Sequence, residues 1–313
     1  MKRNIKNHTK LVGIIGHPIA HSWSPIIHDT AFKITKQNYS YLAFDVLPKN
    51  LRDALKGMLA LGIAGFNVTV PHKEPVIEYL DEISADARLV GAVNTIHAED
   101  DKLVGHNTDV DGVSEALKQY REQLANESVT IFGAGGGAHA VVYSLINYYR
   151  PAQIFVINRD PSRAELLKKF FADSQNYGNI RVVELHNLDE GSVIESSRLI
   201  VNATQVGMFP AVDESIMVAD ERDYSGKIFF DLVYNPVQTQ FLKNAKKKNA
   251  TTISGLEMLY HQASKAFELW TGVAMPLDKV RAKLDKRFLS QRDKGENSPS
   301  QQFVPRAKKI AIH

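Results

Sequence analysis

The stretch Val129–Ala138 reads VTIFGAGGGA, a short apolar run followed directly by a glycine-rich turn. The apolar run is typical of a buried strand, and the residues after the turn have the pattern of a helix. The glycines satisfy G-x-G-x-x-(G or A) at this junction, where backbone N–H groups and the helix dipole favour a pyrophosphate. We therefore predict a dinucleotide-binding loop, with a plain glycine-rich turn as the alternative. Its residues are Gly133, Ala134, Gly135, Gly136, Gly137 and Ala138.

Alternating strand and helix patterns extend in both directions from this loop. Upstream, strands are predicted at Leu11–Ile15, Tyr39–Val46, Ile63–Val70 and Ala92–Ile96, and helices at Ser24–Gln37 and Pro48–Leu61. Downstream of Asp109, strands are predicted at Val129–Phe132, Gln153–Asn158, Ile180–Leu185, Arg198–Asn202 and Lys227–Leu232. Helices are predicted there at Val110–Leu124, Gly136–Tyr149, Ser162–Phe171, Val237–Lys248 and Gly255–Thr271. This alternation indicates an α/β fold class with parallel sheets.

Length and composition limit the class of protein. A chain of 313 residues with 44% hydrophobic residues is too long for one ordinary core, so two domains are expected. The 38 Lys and Arg oppose 35 Asp and Glu without forming one basic block, so no nucleic-acid partner is predicted. No apolar run reaches the roughly 18 residues of a membrane span, and the first residues do not resemble a signal peptide. With no cysteine, the chain excludes disulfides and is expected to be cytoplasmic.

The run Asn67–Lys73 (NVTVPHK) places polar groups at the end of a predicted strand, where open α/β sheets bind ligands. Pro71 stops the strand ladder and keeps Val70 extended, so a turn should direct Lys73 back toward the strand end. The alternative is an ordinary surface lysine.

Asp109 ends the segment GHNTD (residues 105–109), directly before a helical pattern. It could simply cap that helix. Alternatively, its carboxylate faces Lys73 across a cleft and orients the ammonium group for proton exchange with a substrate oxygen.

The segment His21–Pro25 (HSWSP) carries two hydroxyls, Ser22 and Ser24, at a predicted helix start. Ser24 could cap the helix, or both hydroxyls could bind a carboxylate beside the exposed N–H groups.

The strand end Ile157–Asp160 reads INRD, and its tip is where an adenosine ribose normally binds. Arg159 and Arg163 could pair with a 2′-phosphate, which favours NADP, whereas Asp160 would repel that phosphate and keeps NAD possible. The eleven histidines show no ligand spacing, so no metal site is predicted.

Together these segments resemble the shikimate dehydrogenase family from about Leu11 to Leu284. The matching motifs are Gly16–Ile19, His21–Pro25, Asn67–Lys73, Gly91–Thr95, Gly105–Asp109, the glycine loop, Asn158–Arg159, Asn202–Met208, Asp231–Pro236, Gly255–Leu259 and Gln262–Ala263. The chain departs from the family at Asp160, where a small hydroxyl residue is common, and at His139, where a basic residue is common. Both departures concern the cofactor.

The resemblance implies reversible NADPH-dependent reduction of 3-dehydroshikimate to shikimate in aromatic amino-acid (chorismate) biosynthesis. It implies Lys73 as the acid/base residue and Asp109 as its partner. The implied substrate-binding residues are Ser22, Ser24 and Tyr234 for the carboxylate, and Asn67, Thr69, Asn94 and Gln262 for the ring hydroxyls. The implied cofactor-binding residues, besides the glycine loop, are Asn158, Arg159, Arg163, Thr204, Met208 and Gly255.

The resemblance also implies an organisation. Residues 1–108 would form an open, mainly parallel α/β substrate-binding domain, completed by C-terminal helices at 255–285. Residues 109–254 would form an inserted Rossmann domain, with a cleft between the two that closes on binding. Residues 286–313 lie outside the resemblance, and their polar composition, poor in apolar residues, predicts a flexible tail. The expected state is a monomer or homodimer. Two alternatives remain: a quinate/shikimate dehydrogenase that uses NAD or both cofactors, and a non-catalytic homologue that senses a pathway metabolite.

Overall fold

The computed structural model describes residues 9–184, 190–217 and 221–290. Two six-stranded sheets organise these residues, and helices flank both sheets.

The first sheet has the strand order β2-β1-β3-β5-β6-β4. Its strands are β1 (Lys10–Gly16), β2 (Tyr39–Asp45), β3 (Gly65–Val68), β4 (Glu82–Ile83), β5 (Thr95–Glu99) and β6 (Lys102–His106). The accompanying helices are α1 (Ser24–Thr35), α2 (Leu51–Ala60) and α3 (Ala85–Val90). β1 lies parallel to β2 and β3, whereas β5 lies antiparallel to both β3 and β6. The chain changes direction across the sheet between β1 and β3, so a ligand crevice is expected at their carboxyl ends.

The second sheet is wholly parallel, with the order β12-β11-β10-β7-β8-β9. Its strands are β7 (Ser128–Phe132), β8 (Gln153–Asn158), β9 (Ile180–Glu184), β10 (Ser197–Asn202), β11 (Ile228–Asp231) and β12 (Thr251–Ile253). Its helices are α4 (Asp109–Leu117), α5 (Arg121–Leu124), α6 (Gly136–Ser144), α7 (Pro161–Gln175), α8 (Glu190–Ser196) and α9 (Gln240–Lys247). This is the doubly wound order of dinucleotide-binding folds, with its switch point between β7 and β10. The predicted α/β fold class, with a mainly parallel first sheet and a Rossmann unit, is confirmed.

The last two helices, α10 (Gly255–Thr271) and α11 (Leu277–Ser290), return to the first sheet. Trp270 on α10 donates its indole N–H to the carbonyl of Ile96 on β5 at 3.0 Å. Phe288 on α11 is buried and stacks on Trp23, with 4.1 Å between ring centroids. The predicted tail at 286–313 therefore begins too early, because the helix continues through Ser290; residues 291–313 lie outside the described residues. The predicted domain boundaries near 108 and 254 stay predictions.

Several elements differ from the sequence-based expectation. The strand predicted at Ala92–Ile96 begins only at Thr95 and forms a hairpin with β6, which was not predicted. β4, β12 and α8 were also missed, and the helix predicted at Val110–Leu124 divides into α4, a 3-10 turn and α5. No helix within the described ranges is long and apolar enough to cross a membrane.

Candidate active site

Lys73 and Asp109 meet directly. The Lys73 Nζ donates to Asp109 Oδ2 at 2.5 Å, and the two side chains are only 16% and 5% exposed. Asp109 is the first residue of α4, and the helix cap is Thr108, without a side-chain capping bond. The surface-lysine and helix-cap interpretations are therefore wrong, and the structure contains the ion pair that the functional interpretation predicts.

Asn94 holds the other carboxylate oxygen of this pair. Its Nδ2 donates to Asp109 Oδ1 at 2.9 Å and to Thr108 Oγ1 at 3.0 Å, while its Oδ1 accepts from the Thr108 backbone N–H at 2.7 Å. Gln262 lies beside Asn94, with its Oε1 3.5 Å from the Asn94 amide nitrogen. The amide of Asn94 is thus committed mainly to fixing Asp109.

Asn67 is also largely committed to protein partners. Its Nδ2 donates to Thr95 Oγ1 at 3.0 Å and to the Asn94 carbonyl at 3.3 Å, and its Oδ1 accepts from Tyr41 Oη at 2.7 Å. One lone pair of Oδ1 remains for a ligand, so Asn67 could accept a bond from a substrate hydroxyl but not donate one. Thr69, at the next outward position of this strand end, is half-buried.

The two serines lie at the start of α1. Ser24 is buried and begins the helix, but the cap position is Trp23 and no side chain caps there, so the capping interpretation of Ser24 is wrong. Ser22 Oγ accepts from the Ser24 N–H at 3.3 Å and contacts the Tyr234 hydroxyl, while Ser24 contacts the Tyr41 hydroxyl. Because Tyr41 also bonds Asn67, it links the serines to the strand end. Burial raises the pKa of Tyr41 above its usual value, so its phenol stays protonated.

The glycine loop of the second sheet reaches the lysine of the first. A Cβ added to Gly136 would lie 2.9 Å from Lys73 Cβ, and one on Gly133, where φ is +109°, would lie 2.9 Å from the Ala203 carbonyl oxygen. Only glycine fits these two places. The loop is therefore packed closely against both Lys73 and Ala203, and it lies directly beside the Lys73–Asp109 pair.

A cavity of about 470 Å³ opens at the carboxyl ends of β7, β8 and β10. Its lining includes Asn158, Arg159 and Thr204, which the resemblance implied as cofactor-binding, together with Phe132, Ile157, Gln205, Val206, Glu214 and Ile216. Met208 and Gly255 are not among these residues, and Gly255 packs against the carbonyl groups of Leu232 and Val233. The cavity offers apolar walls from residues such as Phe132 and Ile157, and the exposed Arg159 is among its lining residues.

Asp160 and Arg163 have partners that the sequence did not indicate. Asp160 caps α7, since its Oδ1 accepts from the Ser162 N–H at 3.0 Å and from the Ser162 hydroxyl at 2.7 Å. These bonds lower the pKa of Asp160 and keep the carboxylate ionised. Arg163 pairs with Glu74 at 3.4 Å.

Sequence reasoning missed the residues that hold the site together. Tyr41, Thr95 and Thr108 receive or give the bonds that fix Asn67 and Asn94. Thr95 and Thr108 belong to motifs that the sequence singled out, so their position was a usable signal, whereas nothing marked Tyr41. Within the part of the chain that the structure describes, no group of three His, Cys, Asp or Glu side chains is placed to hold a metal ion.

A wholly parallel sheet with a glycine loop, facing a second sheet that presents a lysine–aspartate pair, defines a dinucleotide-dependent oxidoreductase. Comparison with known proteins identifies which kind. Three family models match the chain: the shikimate dehydrogenase substrate-binding domain over residues 14–96, shikimate/quinate 5-dehydrogenase over 115–258, and the shikimate 5′-dehydrogenase C-terminal domain over 255–284. The chain belongs to the shikimate dehydrogenase family, as the resemblance predicted.

Individual relatives agree with this assignment. The shikimate dehydrogenase (NADP⁺) of Methanocaldococcus jannaschii is 44% identical over 279 residues, which cover 89% of this chain and 97% of the relative. A crystal structure of a shikimate dehydrogenase in complex with NADP⁺ superposes with a TM-score of 0.82 at 42% identity, covering 91% of this chain and 97% of the other. The structure of the Listeria monocytogenes shikimate 5-dehydrogenase in complex with shikimate and NAD gives 0.79 at 35% identity, covering 91% and 99%.

Proposed function

We propose that this chain catalyses the reversible, NADP-dependent interconversion of 3-dehydroshikimate and shikimate in chorismate biosynthesis. The observation that carries the proposal is the contact between the two halves of the site: the glycine loop touches the lysine of the Lys73–Asp109 pair. A bound dinucleotide and the proton donor would thus act on the same carbonyl group of the substrate, the first at its carbon and the second at its oxygen.

NADPH, when bound, supplies the hydride for the ketone carbon. Lys73 gives a proton to the developing alkoxide, because its ammonium group is the charged donor beside the loop. Asp109 fixes that ammonium group through Oδ2, and Asn94 fixes Asp109 through Oδ1. In the oxidation direction, neutral Lys73 accepts the proton.

Substrate recognition would use the polar groups on either side of this pair. Ser22 and Ser24 at the start of α1 would bind the carboxylate, with Tyr234 in contact with Ser22. Asn67, Thr69, Asn94 and Gln262 would contact the ring hydroxyls. A substrate analogue lacking a hydroxyl would leave buried polar groups of this set unpaired, so it should turn over poorly.

The cofactor assignment is supported by positive charge at the end of β8. Arg159 lines the cavity and Arg163 lies in the first turn of α7, where both could reach a 2′-phosphate. Asp160 is exposed at the same end, which leaves NAD as a slower cofactor. The cytoplasmic location and the monomeric or homodimeric state stay predictions.

The test is steady-state kinetics with shikimate and quinate, each with NADP and NAD. The expected result is the highest kcat/KM for shikimate with NADP. A higher kcat/KM for quinate with NAD would favour the quinate/shikimate alternative, which the match to a shikimate/quinate family model keeps relevant. Binding of shikimate without turnover under any combination would favour the metabolite-sensing alternative.

A further inference from the structure

An ion pair beside the glycine loop connects the first sheet with the second. Arg163 Nη2 lies 3.4 Å from Glu74 Oε1. Glu74 directly follows Lys73 at the end of the first sheet, whereas Arg163 lies in the first turn of α7 beside the second sheet. A Cβ added to Gly135 would lie 3.8 Å from that arginine nitrogen and 4.0 Å from that carboxylate oxygen. Both charges therefore lie where a dinucleotide would enter.

Once NADP binds, Arg163 would lie near two anions, the Glu74 carboxylate and the 2′-phosphate of the cofactor. This step rests on the proposed function, in which the chain uses NADP. The Glu74 carboxylate holds Arg163 weakly, because the two side chains are 40% and 53% exposed and such pairs are strongly screened by water. A 2′-phosphate carries more charge and three acceptor oxygens, and it matches the planar guanidinium with two parallel bonds. The phosphate should therefore take Arg163, but only after displacing Glu74.

We propose that Glu74 is a cofactor-selectivity residue, which competes with the 2′-phosphate of NADP for Arg163. NAD has no 2′-phosphate and does not need to displace Glu74. The Glu74–Arg163 pair consequently weakens NADP binding while leaving NAD binding unchanged. It thereby reduces the preference of the protein for NADP over NAD. The position of Glu74 next to Lys73 places this competition at the join between substrate and cofactor sites.

Isothermal titration calorimetry on the full chain tests the proposal. The ligands are NADP, NAD, adenosine 2′,5′-bisphosphate and AMP; the last two differ by the 2′-phosphate and lack the nicotinamide half. The proteins are the wild type, Glu74→Gln, Arg163→Gln, the double variant, and Glu82→Gln as a matched control. Glu82 forms a comparable exposed ion pair with Lys102 at 2.7 Å, away from the loop.

Glu74→Gln should tighten NADP and adenosine 2′,5′-bisphosphate about two- to fivefold, the range expected for releasing an exposed ion pair. NAD and AMP should bind as before, and Glu82→Gln should change nothing. In the Arg163→Gln background, Glu74→Gln should have no effect. The gain should also shrink as ionic strength rises.

Three results would overturn the proposal. Equal tightening of NADP and NAD would mean that Glu74 merely repels the pyrophosphate. Weaker NADP binding by Glu74→Gln would mean that Glu74 positions Arg163 for the phosphate, and persistence of the gain without Arg163 would exclude competition. These results concern the variants only, whereas a wild-type protein that bound neither NADP nor NAD would overturn the proposed function as well.

Discussion

The side chains of this site are held in their orientations by hydrogen bonds to neighbouring residues. Asp109 offers one carboxylate oxygen to Lys73 and the other to Asn94, so the carboxylate cannot rotate without losing a bond. The pairing of Lys73 with Asp109 could be predicted from the sequence because each lies at a strand or helix end with few other roles. The commitment of Asn67 to protein partners could not, since it depends on Tyr41, which lies 26 residues away in the chain.

Removing the Lys73 side chain should mainly affect the chemical step. Lys73→Ala should lower kcat by about 10²- to 10⁴-fold, the usual contribution of a positioned acid/base group, with KM for shikimate largely unchanged. Asp109 keeps its bond from Asn94, so the fold should survive. Lys102→Ala, at a lysine that is 58% exposed in an ion pair with Glu82, is the matched control and should keep full activity. Steady-state kinetics and circular dichroism check both variants; retained turnover by Lys73→Ala would refute the assigned role.

At the scale of elements, the sequence predicted the regular strand–helix alternation better than the irregular part. The β5–β6 hairpin was missed, although its turn at Asp100 and Asp101 has φ of +48° and +60° and lies between two strand-forming runs. Aspartate tolerates the left-handed region, so the pair was a usable turn signal. The contact of the glycine loop with Lys73 was not predictable, because it depends on how two sheets meet.

The contact between the glycine loop and Lys73 should be disrupted by one added methyl group. Gly136→Ala would push against Lys73 Cβ at 2.9 Å and Lys73 Cδ at 3.2 Å, which displaces the lysine and the loop together. We expect kcat/KM to fall about 10- to 100-fold, in line with the cost of ångström-scale misplacement. Gly57→Ala is the matched control: a Cβ at this helical glycine of α2 meets nothing within 4 Å, so the variant should be active and slightly more stable. Wild-type kinetics in Gly136→Ala would contradict the proposed contact.

Asp160, which caps the N-terminus of α7, should affect both the stability of that helix and the selectivity for the cofactor. Asp160→Ser keeps a capping hydroxyl, whereas Asp160→Ala removes the cap that now accepts from Ser162. Both variants lose a carboxylate next to the expected 2′-phosphate, so both should bind NADP more tightly while NAD binding stays the same. Only Asp160→Ala should lower the melting temperature. Calorimetric titration and thermal unfolding separate the two effects, and unchanged NADP affinity in both variants would exclude repulsion by Asp160.

At the scale of the whole molecule, two buried ionisable groups should oppose each other in the pH dependence of stability. His28 is fully buried in the core of the first sheet and stacks on Tyr41, and burial lowers its pKa to about 3. Asp231, buried at the end of β11, accepts from Asn202, Val233 and Thr239, and burial raises its pKa to about 7 despite these bonds.

His28 and Asp231 change the stability of the fold with pH in opposite directions. Between about pH 4 and 6.5 the unfolded state binds a proton at His28 that the folded state does not, so this group makes stability rise with pH by about 1.4 kcal/mol per unit. Over the same range the folded state holds a proton at Asp231 that the unfolded state has released, so this group makes stability fall at the same rate, up to about pH 7. In the wild type the two contributions largely cancel.

Replacing either His28 or Asp231 should leave the effect of the other group on the pH dependence of stability uncompensated. His28→Phe keeps a ring against Tyr41 and loses no hydrogen bond, because neither His28 nitrogen has a partner among the described residues. Its free energy of unfolding, measured by urea denaturation and taken relative to the wild type, should fall as pH rises from 4 to 6.5. Asp231→Asn, treated in the same way, should show a relative rise from pH 4 to 7. Parallel pH profiles for the wild type and His28→Phe would mean that His28 is protonated in the folded protein, and the two groups would then not compensate.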